Sequence, residues 1–246
     1  MSGSGSGGNG GVGAGPQGLH GKVLSTLGPA IVGGEIPAGT VLRAEELAER
    51  YGVSRTVVRE AVRVLESMRL VGIRRRVGIT VAAREEWDVF APEVIAWRLE
   101  GADRPRQLRS LTVLRSAVEP MAAELAARHA SAEQAGRLTG LAIDLASTAK
   151  AGDLRAFLGH DMEFHRLLLT ASGNEMFARL GDVVAAVLTG RTEHHLMPAH
   201  PAPEAVTWHI AVAEAVRCGE PAAAREAMSS IVSRAMDELA ELDEPS

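Results

Sequence analysis

Residues 52–61 read Gly-Val-Ser-Arg-Thr-Val-Val-Arg-Glu-Ala, and this stretch decides the fold predicted for the first part of the chain. The glycine predicts a tight turn. Ser54 follows it as a good N-cap, because its hydroxyl can accept a bond from a backbone N–H of the next turn. A helix is predicted from residue 55 to about residue 69, with one apolar side at helical spacing. That side consists of Val58, Ala61, Val62, Leu65 and Met68.

The polar residues at the start of this helix are suited to contacting DNA. Arg55 and Arg59 are one turn apart and can reach guanine edges or phosphates, and Thr56 can bind a phosphate or a thymine methyl. A short helix over residues 44–51 precedes the glycine turn. Two helices joined in this way predict a helix-turn-helix, whose second helix enters the major groove. The alternative for the arginines is a solvated helix face.

A basic hairpin is predicted after these helices. Residues 71–73 and 79–81 alternate as short strands around Arg-Arg-Arg-Val-Gly at 74–78. Arginines of such a wing can enter a minor groove or follow the phosphates. With a first helix over 19–32, the pattern predicts a winged helix-turn-helix domain over 17–83. The candidate DNA-binding residues are Arg43, Ser54, Arg55, Thr56, Arg59, Arg75, Arg76 and Gly78.

Charge is distributed unevenly along the 246 residues, whose net charge is −5. Residues 17–84 carry 11 Lys and Arg against 6 Asp and Glu, whereas residues 85–246 carry 15 against 25. A basic module joined to an acidic one is expected when only the first touches phosphate.

Composition excludes several classes of protein. No apolar run reaches the ~18 residues of a transmembrane helix, and the N-terminus lacks the pattern of a signal peptide, so a cytoplasmic protein is expected. The single cysteine, Cys218, excludes an intramolecular disulfide and a cysteine-based zinc cluster. Residues 1–16, rich in glycine and serine, predict a disordered tail.

The second part of the chain is predicted to be all helical. After a connector at 84–104, residues 105–241 show apolar residues at helical spacing in about six blocks, and the short connections predict antiparallel neighbours. The fold class is therefore mainly α, with the winged domain followed by an antiparallel helical bundle. The predicted blocks are 106–129, 132–150, 153–171, 174–196, 204–218 and 221–240.

Asp161 and His165 form a candidate metal site in this bundle. They are four residues apart on one predicted helix and therefore share a face. A carboxylate and an imidazole at this spacing can chelate a divalent metal such as Zn, Ni or Mn. The alternative is a hydrogen-bonded pair in a partly buried groove. Further histidines that could contribute are His194, His195, His200 and His209.

Residues 52–61 resemble the recognition-helix signature of the GntR family of bacterial transcription regulators. The helical part resembles the FadR-type branch of that family on residues 114–120, 161–165, 171–174 and His209. The connector around Glu86 and Trp87, with Pro92 and the run to Trp97, resembles the sugar-acid-responsive members of the galactonate-operon type most of all, as does the lack of a fourth histidine ligand. The resemblance implies a homodimer on an inverted DNA repeat. It also implies that the helical domain mediates dimerisation and binds a small carboxylate. In one departure, Glu45 stands where many relatives have a DNA-contacting arginine.

Site residues of the helical domain follow from the same resemblance. It implies Asp161, His165 and His209 as metal ligands, with Ile231 where a fourth, histidine ligand is usual. It also implies that Arg115 clamps the effector carboxylate and that Asn174 hydrogen-bonds the effector. The residues alone leave two alternatives open, an ion pair of Arg115 with Glu119 on a helix surface and a helix cap at Asn174.

The leading hypothesis is a sequence-specific repressor released by a sugar acid of the galactonate or gluconate type. A metal-dependent hydrolase or lyase using Asp161, His165 and His209 is the enzymatic alternative. Glu163 lies on a different helix face from Asp161, which makes it a poor general base. A third hypothesis, a non-specific DNA-coating protein, predicts no response to metabolites and conflicts with the acidic bundle.

Overall fold

The computed structural model describes residues 16–74, 77–193 and 202–241. The chain divides into two compact units, with the boundary between Asp88 and Val89. In the part of the chain that is described, no helix has the length and apolar character needed to cross a membrane.

The first unit is a helix-turn-helix with a small antiparallel sheet, which confirms the predicted fold class. Its helices pack around a core that includes Leu27 and Leu65, both fully buried. The apolar side predicted for the third helix is buried along its whole length. The elements are α1 (Pro16–Val32), β1 (Val41–Leu42), α2 (Ala44–Tyr51), α3 (Arg55–Ser67), β2 (Val71–Arg74) and β3 (Gly78–Val81).

The sheet contains a strand that the sequence did not predict. Its order is β1-β3-β2, and β1 pairs with β3 through Val41 opposite Thr80 and Leu42 opposite Ile79. A two-residue strand is too short to show alternation, so only its pairing with β3 defines it. The first helix also begins at Pro16, the last residue of the predicted tail, and residues 1–15 lie outside the described residues.

The second unit is all helical over its described residues, in agreement with the predicted fold class. Long helices α5, α10 and α11 pack against one another, and α7 packs against α5, α6 and α9. Leucine, alanine and valine dominate the cores between them. The helices are α4 (Pro92–Glu100), α5 (Arg104–His129), α6 (Ala132–Ala151), α7 (Leu154–Ala171), α8 (Glu175–Ala178), α9 (Gly181–Glu193), α10 (Pro203–Cys218) and α11 (Pro221–Glu241).

Two details of the second unit differ from the sequence pattern. The stretch predicted as a connector contains α4, whose Ile95 and Leu99 join the core formed with α5 and α9. The predicted block at 174–196 is two helices, α8 and α9, over its described residues. The break falls before Gly181, where a Cβ would lie 3.0 Å from Arg166 Cγ, so the close approach of α7 favours glycine at the start of α9.

Candidate nucleic-acid interface and candidate metal centre

The turn between α2 and α3 has the geometry that the sequence predicted. Gly52 adopts the left-handed conformation, with φ of 64°, in which glycine is favoured. The Ser54 hydroxyl accepts a hydrogen bond from the Val57 backbone N–H at 3.3 Å, which caps α3. Helix α2 therefore ends at this glycine, and α3 begins directly after the Ser54 cap.

The start of α3 presents its polar residues to solvent. Arg55, Thr56 and Arg59 are exposed, whereas Val58 and Val62 of the same helix are buried. Between α3 and the hairpin lies a cleft of about 710 Å³. Charged residues from three elements line it, namely Arg43, Glu45, Arg59, Arg63 and Arg74. This surface can bind a polyanion.

Ion pairs divide the arginines of this surface into two groups. Arg55 Nη1 lies 3.3 Å from Glu45 Oε1, so the first turns of α2 and α3 are joined by opposite charges. Arg63 Nη1 donates to Glu60 Oε1 at 2.9 Å within α3. In the part of the chain that the structure covers, Arg59 has no acidic partner within ion-pair distance.

The wing depends on a glycine at its tip. Gly78 has φ of 120°, and a Cβ there would lie 3.0 Å from the Leu42 carbonyl oxygen and 3.3 Å from Val41 Cγ1. Gly78 pairs with Arg74, whose side chain is exposed at the cleft. The structure therefore gives Gly78 a backbone role, the close approach of β1 to the hairpin. Arg75 and Arg76 lie outside the described residues.

A buried cluster in the second unit brings together the three predicted metal ligands. Asp161 and His165 come from α7 and His209 from α10, and each is at most 4% exposed. Asp161 Oδ1 lies 3.0 Å from His209 Nε2 and 3.5 Å from His165 Nε2. One potential ligand atom from each residue lies within 4.8 Å of the others.

The other ring nitrogen of each histidine faces an oxygen atom. His209 Nδ1 donates to the Ala205 carbonyl at 2.7 Å, and His165 Nδ1 lies 2.9 Å from Glu119 Oε2. Metal-binding histidines are commonly oriented in this way by a carboxylate or a backbone carbonyl. With Nδ1 directed away in this manner, Nε2 is the ring nitrogen of each histidine that faces Asp161.

Charge in the cluster is strongly coupled. Burial alone would lower the pKa of His165, but the carboxylates of Glu119 and Asp161 outweigh it and raise the pKa to about 9. Burial alone would raise the pKa of Asp161, but its interactions with the two imidazoles hold the pKa below its ordinary range. A cation that entered the cluster would therefore compete with a proton on His165.

Arg115 extends this cluster through α5. Its Nε lies 2.7 Å from Glu119 Oε1 and its Nη2 lies 3.2 Å from Glu119 Oε2, which makes the pair bidentate. Arg115 Nη2 also lies 3.4 Å from His165 Nε2. The pair with Glu119 is buried, with Arg115 2% exposed, and not on the helix surface considered from sequence. Nη1 of Arg115 makes no hydrogen bond to any described residue.

Glu119 is the member of this network that the site prediction missed. It is fully buried, and it connects Arg115 to His165. The signal in the sequence is a second charged pair at helical spacing, four residues apart on the apolar side of α5. Burial alone would raise the pKa of Glu119, but the charges of Arg115 and His165 and their hydrogen bonds outweigh it and lower the pKa to about 2.

Asn174, Ile231 and Glu163 make other contacts. Asn174 Oδ1 accepts from the Met176 and Phe177 backbone N–H groups and so caps α8. Ile231 is in the apolar core. Glu163 pairs with Arg137 at the surface, away from the cluster. His194, His195 and His200 lie outside the described residues.

Known protein families match both units. The profile of the gntR family of bacterial regulatory proteins matches residues 20–81. The profile of the FCD domain matches residues 110–234, which is just over half of the chain.

Individual relatives match over most of their length. The galactonate operon transcriptional repressor of Escherichia coli strain K12 is 28% identical over 223 residues, which are 90% of this chain and 96% of that protein. A probable D-xylose utilization operon transcriptional repressor of Paenarthrobacter nicotinovorans is 29% identical, covering 81% of this chain and 79% of its own. The solved structure of E. coli McbR/YncC shares the fold, with a TM-score of 0.53, 21% identity, and coverage of 92% of this chain and 99% of that one.

Proposed function

Since the chain belongs to the GntR family of bacterial regulatory proteins and carries an FCD domain after the family's DNA-binding domain, we propose that it is a homodimeric transcriptional repressor that leaves its operator when a small carboxylate binds. Its site of action would be the bacterial cytoplasm, where the operator lies. The family is one of transcription regulators, so the hydrolase or lyase considered from sequence has no support.

The exposed start of α3 supports the DNA-binding part of this proposal. Arg55, Thr56 and Arg59 stand at the N-terminus of a capped helix, the end by which such a helix enters the major groove. The cleft arginines and the hairpin lie on the same side of the unit as Arg59. Arg43, Ser54, Arg75, Arg76 and Gly78 complete the proposed contact surface, with Gly78 shaping the wing backbone.

Substitution of Arg59 tests this surface. The operator is first selected by the full-length protein from a pool of random duplexes, and binding is then measured by fluorescence anisotropy. We expect Arg59→Ala to weaken operator binding by about 1–3 kcal/mol, because a bidentate contact to guanine is lost. Arg155→Ala, which removes the same charge from an exposed position of the second unit, serves as the control and should bind like the wild type. Equal binding by both variants would contradict the assignment of Arg59.

Asp161, His165 and His209 fit a divalent cation such as Zn, Ni or Mn. His209 Nε2 faces Asp161 Oδ1 at 3.0 Å without a hydrogen bond to any described residue. A ring nitrogen lone pair so close to a carboxylate is repelled unless a proton or a cation lies between them. When bound, such a cation supplies a Lewis-acid position for a carboxylate oxygen. Ile231 offers no ligand, so three side chains of this chain would hold it.

Arg115 supports a carboxylate as the effector. Its Nη1 is a buried donor with no hydrogen-bond partner among the described residues, and it lies on the residue that contacts His165. A guanidinium fork matches the planar geometry of a carboxylate. The names of two relatives associate them with galactonate and D-xylose operons. We therefore propose a sugar acid of the galactonate or gluconate type. Asn174 has its amide nitrogen left for such a ligand, since only Oδ1 is used by the cap.

A further inference from the structure

Glu45 and Arg55 form an ion pair on the surface proposed to meet the operator. Their charged atoms lie 3.3 Å apart, and the side chains remain 57% and 66% exposed. Glu45 also lines the cleft beside α3, whereas the neighbouring Glu46 does not. The pair therefore presents an acceptor and a donor side by side, from the first turns of α2 and α3.

A G·C base pair presents the complementary groups in the major groove. Guanine offers the acceptors O6 and N7, and cytosine offers the N4 amino donor. Guanine O6 and cytosine N4 are bonded to each other at about 2.9 Å, close to the separation of the two charged groups of the pair. A guanidinium has five N–H donors and a carboxylate has about four acceptor sites, so both can bind base edges while they remain paired.

We propose that Glu45 and Arg55 act together to read one G·C base pair in each half-site. Arg55 donates to guanine and Glu45 accepts from the cytosine amino group, which makes Glu45 a specificity-determining residue. The inference rests on the proposed function, because it requires the start of α3 to lie in the major groove. A carboxylate facing DNA is repelled by every phosphate nearby, so Glu45 lowers the affinity for all duplexes. Glu45 discriminates between base sequences only through its contact with cytosine.

Two alanine variants separate base reading from general charge. Glu45→Ala removes the carboxylate proposed to contact cytosine. Glu46→Ala removes the next carboxylate of the same helical turn, which pairs with Arg43 at 3.8 Å. Both variants lose one acidic residue from the first turn of α2, so they lose the same interaction with the helix dipole. Thermal melting of the full-length variants checks that both are folded.

The operator is selected by the wild type from random duplexes, and each base pair is then replaced symmetrically in both half-sites. Binding of the wild type and both variants to every duplex is measured by fluorescence anisotropy. We expect the wild type and Glu46→Ala to lose about 5- to 100-fold in affinity when one particular G·C pair is replaced. Glu45→Ala should lose less at that position, where only the contact of Arg55 with guanine remains, and should show the same fold-loss as the wild type at all others.

Two results would contradict the assignment of Glu45 as a base-reading residue, and only the second would also contradict the proposed function. If Glu45→Ala keeps the wild-type loss at every G·C position, Glu45 does not read a base and the operator function stands. If the wild type selects no sequence at all, the proposed function fails together with the assignment.

Discussion

Arg115 is a large charged side chain placed in a buried polar cluster between apolar cores. It is 2% exposed, and Glu119 on the next turn of α5 is fully buried. Removing two charges from water is costly, and a bidentate pair recovers that cost only while both partners remain. The free energy of unfolding should therefore depend on the pair as a unit.

Replacement of Arg115 alone should be strongly destabilising. Arg115→Met leaves Glu119 buried beside His165 without its guanidinium, and we expect the free energy of unfolding in urea to fall by about 3–5 kcal/mol. The double variant Arg115→Met/Glu119→Leu should recover part of this loss, because no unpaired charge is left.

The control lies on the same helix. Arg128 pairs with Glu124 at the same four-residue spacing, but its side chain is 54% exposed. Arg128→Met should cost no more than about 0.5 kcal/mol, as exposed pairs on helices do. An equal loss of unfolding free energy for Arg115→Met and Arg128→Met would show that the buried Arg115–Glu119 pair stabilises the fold no more than an exposed pair does.

The wing is an element whose shape depends on backbone conformation. β3 is the central strand and begins at Gly78, where positive φ and the nearby Leu42 carbonyl both disfavour a side chain. Short strands contribute few hydrogen bonds, so strain at one residue affects the whole hairpin. A substitution in the wing is therefore expected to be more destabilising at Gly78 than at positions where a side chain fits.

Alanine substitution at two wing glycines tests this expectation. Gly78→Ala should lower the free energy of unfolding by about 1–3 kcal/mol, since a non-glycine residue at this φ is strained, and operator affinity should fall with it. Gly72→Ala in the adjacent strand should be tolerated, because nothing lies within 4 Å of the added Cβ. Urea unfolding and anisotropy measure the two effects. Similar behaviour of the two variants would contradict the backbone role of Gly78.

At the scale of the whole molecule, the two units carry opposite net charge, and the proposed function gives them separate tasks. The basic surface lies in the residues before the boundary at Asp88, and the buried cluster lies in the residues after it. An effector changes operator affinity only through a difference in its affinity for two states of the protein. A coupling of about 1–3 kcal/mol would change operator affinity by about 5- to 150-fold.

Thermal melting of the full-length protein tests the effector and the cation together. The panel contains galactonate, gluconate, dicarboxylates and acyl-CoA thioesters, each with and without EDTA. An acid present at 100 times its Kd should raise the Tm by about 5–10 °C. Loss of the shift in EDTA would indicate that the cation takes part in binding.

His209→Ala should lose an EDTA-sensitive shift, whereas Arg128→Met should keep it. A sugar-acid effector would be contradicted if galactonate and gluconate left the Tm unchanged.

Local chemistry explains what could be predicted from the amino-acid sequence. The caps at Ser54 and Asn174 each accept backbone N–H bonds within three residues, so the information needed to place them is contiguous. The turn at Gly52 and the buried side of α3 also depend on residues that are close together in the chain. The recognition helix and the helical class of the second unit were therefore evident from sequence.

Tertiary structure decided the features that join distant parts of the chain. β1 exists because β3 lies beside it, and α4 belongs to the second unit because Leu99 packs with α9. The buried cluster also depends on tertiary structure. Spacing along α7 places Asp161 beside His165, but only the packing of α10 against its neighbours brings His209 Nε2 to 3.0 Å from Asp161 Oδ1. The sequence by itself determined the capped turns and the residue types of the site, because these depend on neighbouring residues. Packing determined which charges are buried and which atoms face each other, since these depend on contacts between elements far apart in the chain.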